Sequence, residues 1–129
     1  MVTQRPEHIS ITESHRQAIL TPLPEIANTL QSALSRRLTA YIVGVTDGKT
    51  VARWASGEVS EIRDHTVEQR LRTAYEIHAL LMNYESAPTV KAWFIGLNPQ
   101  LDDISPAQAL HDGQLSEAIA AARAFTVGG

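Results

Sequence analysis

The chain has 129 residues, of which 43% are hydrophobic and 19% charged, with a net charge of −3 and no cysteine. That length suits one compact domain or a small domain with an appended piece, and the missing thiols exclude disulfides, thiolate nucleophiles and Cys-based zinc sites. Sequence-independent nucleic-acid binding relies on Lys and Arg neutralising phosphates, so the negative balance argues against a generic nucleic-acid binder and confines any DNA contact to a local patch.

Residues 1–23 mix Thr, Ser, His, Gln and Pro around one short apolar patch, Ala18, Ile19 and Leu20, and read as a loosely held, flexible arm. The next region, residues 24–65, opens with Ile26, Leu30, Ala33 and Leu34 at the spacing of one helical face. The pattern continues into Leu38 and Tyr41, giving a first helix from Glu25 and then a short second one. Gly44 supplies the positive φ that ends the second helix, and Thr46-Asp47 offers oxygens to cap a third from about Gly48 to Ala55, closed by Gly57. On that third helix Val51, Trp54 and Ala55 share one arc, while Thr46, Lys49, Thr50 and Arg53 share the opposite one.

Residues 66–88 form a connecting long helix and loop. Thr66-Val67-Glu68-Gln69 fits a capping box, and Val67, Leu71, Ala74, Tyr75, His78, Leu81 and Met82 make a broad apolar stripe in which His78 reads as a half-buried core histidine. Ser86-Ala87-Pro88 starts another helix running through Ile95 to Gly96, and Asn98-Pro99 breaks it. Ser105-Pro106 caps a short helix stopped by Gly113, and Ser116 caps a last one reaching Phe125. No alternation is long enough for a strand, so the fold class is all-α.

Catalytic chemistry finds little support. His8, His15, His65, His78 and His111 are too scattered for a metal-ligand spacing, and Asp102-Asp103 reads as a turn. With no nucleophile, phosphate loop or acid/base pair, the expectation is a binding protein, not an enzyme, without cofactor or metal. No apolar run approaches the roughly 20 residues that cross a bilayer, which makes a cytoplasmic location the default expectation.

Two segments carry a resemblance. Residues 38–57, LTAYIVGVTDGKTVARWASG, resemble an Xre-type helix-turn-helix through Ala40, a small residue where two helices approach, and Gly44 at the turn between them. The resemblance implies that Lys49 and Arg53 contact phosphates or guanine edges, that Thr46 and Thr50 bond to backbone or bases, and that Arg36 and Arg37 flank the groove. The turn departs from the usual spacing by one residue, Asp47-Gly48 standing where one serves, which would displace the second helix. A plain scaffold, with Lys49 and Arg53 as a solvated face, stays open beside this reading.

Residues 99–113, PQLDDISPAQALHDG, preceded by AWFIGLN, carry Trp93, Asn98, Pro99, Leu101, Ser105, Pro106, Leu110 and Gly113 at positions characteristic of the C-terminal toxin-binding domain of the MbcA/ParS/Xre antitoxin family, which residues 89–129 resemble. Each also has a structural role open to it: core for Trp93, turn for Asn98-Pro99, helix start and stop for Ser105-Pro106 and Gly113. The resemblance implies a partner, a RES-domain toxin that consumes NAD, whose active site the C-terminal region obstructs. Trp93, Asn98, Leu101 and Leu110 then belong to the toxin contact, Arg123 and Phe125 are candidate anchors, and the Gly129 carboxylate is a polar tip. Phe125 reads more readily as core than as an anchor. Repression of its own operon through operator DNA follows from the same resemblance, and a homodimer, or a larger assembly with toxin, is expected because two recognition helices about one DNA turn apart read a palindrome better than one. A transcriptional regulator without a cognate toxin is the alternative.

Overall fold

Most of the helices form where a capping oxygen or a proline precedes apolar residues at helical spacing, and a computed structural model describes residues 11–128 of the result. The order is α1 (Ile11–Leu20), α2 (Leu23–Leu34), α3 (Arg36–Val43), α4 (Gly48–Ala55), α5 (His65–Leu81), α6 (Ala87–Ile95), a 3-10 turn (Pro99–Leu101), α7 (Pro106–His111) and α8 (Leu115–Thr126). Among the described residues there is no strand, only an isolated bridge between Asn98 and Ile104, so the fold is all-α.

One core runs from Leu23 to Ala122, with Ile26, Leu30, Leu71, Ile77, Phe94 and Leu110 among its fully buried side chains. Burial of such side chains is worth about 1.5–3 kcal/mol each and is the main force holding the helices together. α2 packs on α4, α3 on α7 and α5 on α8, so segments 24–65 and 89–128 contribute to the same interior.

The joints explain the helix boundaries. Ser35 breaks α2 from α3 at a φ of 90°, its Oγ accepting from the Leu38 N–H at 3.1 Å. Gly44 ends α3 at a φ of 88°, and a Cβ there would lie 2.9 Å from Arg70 Nη1. The Arg70 guanidinium sits between Gly44 and Gly113, at the C-terminal ends of α3 and α7, where helix dipoles favour a cation. Gly48 is the first residue of α4: Asp47 Oδ1 accepts from the Lys49 N–H at 2.9 Å, and a Cβ on Gly48 would meet Arg36 Cβ at 2.9 Å.

Three expectations change. Residues 11–20, read as part of the arm, form α1, held by Arg72 Nη1 donating to the carbonyls of Ala18 (2.8 Å) and Thr21 (3.0 Å) and by His15 Nδ1 lying 3.0 Å from the buried Glu76 carboxylate. The cap of α5 is Asp64, whose Oδ1 accepts from the Thr66 and Val67 N–H groups, in place of Thr66. α8 starts at Leu115 after Gln114, and Ser116 Oγ bonds Glu117 Oε1 instead of the helix backbone.

Candidate functional site

Between α6, the 3-10 turn and α8 lies a groove of about 250 Å³ lined by Trp93, Leu97, Asn98, Pro99, Gln100, Ala121 and Phe125. Asn98 organises its rim: Oδ1 accepts from the Gln100 N–H at 2.9 Å, the carbonyl accepts from Leu101 (2.9 Å) and Asp103 (3.0 Å), and the N–H donates to the Ile104 carbonyl at 3.0 Å. Asp102 and Asp103 close the loop at φ 55° and 65°, in the left-handed region that Asp tolerates better than most residues.

Trp93 forms the wall, 8% exposed, edge-on to Phe94 with centroids 5.3 Å apart and tilted against Phe125 at 6.4 Å. Its indole Nε1 is buried with no hydrogen-bond partner among the described residues. A buried donor left without an acceptor costs about 1–3 kcal/mol, and such groups in a native fold call for a specific explanation. Beside it Leu97, a residue the sequence patterning did not single out, is 76% exposed. It escaped because it lies between helices, where no periodicity marks it.

Trp93, Asn98 and Phe125 therefore converge, and other members of the proposed contact set do not. Leu101 and Leu110 are core residues with almost no accessible surface, so they shape the platform and cannot touch a partner directly. Arg123 is exposed on α8 but does not line the groove, being two residues from both Ala121 and Phe125 and so on the other side of the helix. Gly129 lies outside the described residues.

On α4 the two arcs separate as the wheel predicts. Val51 and Trp54 are buried, Lys49 and Arg53 are exposed and Thr50 is half-buried. Arg36, Arg37 and Thr46 line a concavity of about 440 Å³ together with Asp47 and Gly48; Lys49, Thr50 and Arg53 lie outside it. Two of the cations are engaged locally, Arg53 with Glu58 (Nε to Oε2, 3.2 Å) and Arg36 with Gln31 (Nε to Oε1, 3.2 Å).

His78 is held below its ordinary pKa by burial, which penalises the imidazolium. Among the described residues no three His, Asp or Glu side chains converge in a way that could hold a metal ion, and no helix is long and apolar enough to cross a membrane. No protein-family model matches this chain, and no curated protein or solved structure matches it significantly.

Proposed function

We propose that this protein is the antitoxin of a toxin-antitoxin pair, binding a RES-domain, NAD-degrading toxin through the groove between α6 and α8 and blocking access to its active site. The observation that carries the reading is the convergence of Trp93 and Asn98, both singled out by the family resemblance, with the candidate anchor Phe125 on one groove whose rim exposes Leu97 and whose wall holds an indole N–H with no hydrogen-bond partner among the described residues. Apolar anchors in a shaped recess on rigid helices are what a stable protein interface needs, and an aromatic at its centre is the usual energetic focus. Inhibition is steric: the groove fixes the toxin and sets α8 against the toxin's active-site cleft.

Leu97→Asp tests this without disturbing the core, because about three-quarters of the residue is in solvent, at 76% exposure. Co-expressed with the protein encoded in the adjacent reading frame, the unchanged chain is expected to copurify with it and spare cellular NAD. Leu97→Asp is expected to weaken the complex about a hundredfold or more, the range of an interface hot spot. Retained NAD protection by Leu97→Asp would remove the groove from the mechanism.

The outward arc of α4 supports a second activity in the same protein, operator binding by a helix pair α3–α4, in which Lys49 and Arg53 face the duplex. Lys49→Ala with Arg53→Ala is expected to abolish retention of promoter DNA in a mobility-shift assay and to leave the toxin complex intact. Unchanged promoter affinity would make that arc a solvated face.

A further inference from the structure

The geometry points to a second docking surface, on the other side of α6 from Trp93, that takes an acidic amphipathic segment of a partner protein. This open groove of about 420 Å³ is lined by Leu34, Ser35, Arg37, Leu38, Tyr41, Lys91 and Ile95 and shares no residue with the groove at Trp93. Fully buried Leu34 lies at its base, and Tyr41 (42% exposed) and Ile95 (54% exposed) are large apolar side chains left in solvent. Each wall repeats one arrangement: Arg37 stands one turn before Tyr41 on α3, and Lys91 one turn before Ile95 on α6. Tyr41 is held rigid, its ring stacked on His111 at 4.3 Å and its carbonyl 2.6 Å from His111 Nδ1.

The charge pattern selects the occupant. Both flanking cations are exposed, neither makes an ion pair with a described residue, and no carboxylate lines the groove. An apolar side chain seated between Tyr41 and Ile95, with Asp or Glu one turn to either side of it, would satisfy the floor and both cations at once. A second copy placed symmetrically would set like charges against each other. A nucleic-acid backbone would use the cations and leave the apolar floor unsatisfied.

The full-length protein can be screened against a displayed library of short random peptides, with bound sequences mapped by chemical-shift changes. Enriched peptides are expected to combine Leu, Ile or Phe with Asp or Glu within one turn and to shift Tyr41, Lys91 and Ile95. Arg37→Glu with Lys91→Glu should weaken binding about tenfold, while circular dichroism and Tm stay unchanged because both side chains are exposed. The proposal fails if enriched peptides are basic or uncharged, if none shifts Ile95, or if charge reversal leaves affinity intact. Groove shifts on adding duplex DNA without an acidic-peptide response would reassign the cations to phosphate. A mass increase in light scattering that Ile95→Glu abolishes would reassign the groove to a second copy. Either result overturns the acidic-segment reading.

Discussion

On α4 the large apolar side chains turn inward and the surface is left to Lys49, Thr50 and Arg53, whereas between α6 and α8 Leu97 stands in solvent beside a tryptophan whose N–H meets no acceptor among the described residues. The first surface is already comfortable in water: its charges are hydrated, Arg53 has Glu58, and any contact made there is electrostatic and screened by salt. The second carries an unmet demand for burial that salt does not screen. A binding activity at α4 should therefore fade steeply with ionic strength, while one at the Trp93 groove should persist. The two surfaces nevertheless share an interior, because α7 and α8 pack on α3 and α5.

The largest expected effect tests that shared interior. Leu110→Ala removes a fully buried side chain and is expected to destabilise the protein by about 3 kcal/mol. Trp54 reports on α4 and Trp93 on α6, so single-tryptophan variants, Trp54→Phe and Trp93→Phe, would follow the two regions separately in urea. Coincident transitions, both moved by Leu110→Ala, are expected; a transition moved only at Trp93 would split the molecule into independent units. A smaller effect should come from Gly44→Ala, which forces an L side chain to a φ of 88° and drives its Cβ against Arg70 Nη1, costing about 1–2 kcal/mol. Since Arg70 also reaches Gly113, its displacement should broaden resonances on α7 as well as α3, and changes confined to α3 would deny Arg70 a bridging role.

The smallest effect is in pH. Burial holds His78 below its ordinary pKa of 6.5, so the unfolded chain binds its proton first as pH falls. The stability tied to neutral His78 is complete above pH 6.5 and is lost as pH drops through the unfolded pKa toward the folded one. The urea midpoint of the unchanged protein should therefore fall more between pH 7.5 and 5.5 than that of His78→Gln. Parallel midpoints would show that the imidazole is solvated in the native state.

How far these features could be read in advance depended on the physical signal each carries. α4 was legible because Asp47 caps it and Val51 and Trp54 repeat on one face; α7 was legible from Ser105-Pro106, and Ser105 Oγ does accept from the Gln108 N–H. α1 was not, because the residues it buries are Ser14 and Ala18, a small inward face with no apolar period, while Ile11, Ile19 and Leu20 point outward. The cap of α5 was misplaced because Asp64 and Thr66 both offer an oxygen within a turn of the start, and only geometry chooses between them. At the candidate site, the aromatic and the turn were readable as residues, but their convergence was not. It depends on α8 folding back across α5 to bring Phe125 beside Trp93, a long-range arrangement that no local pattern encodes.

The way α1 is fastened sets a hierarchy of motion. Its contacts with α5 include a guanidinium reaching two carbonyls and an imidazole beside one carboxylate, and its buried face, Ser14 and Ala18, is small. Such a clasp opens at a fraction of the free energy needed to unfold the whole molecule. The amides of α1 should therefore exchange with solvent through excursions that leave α5 closed. Each such excursion would bare the carboxylate of Glu76 and a strip of α5 to water while the core built from α2 to α8 stays closed.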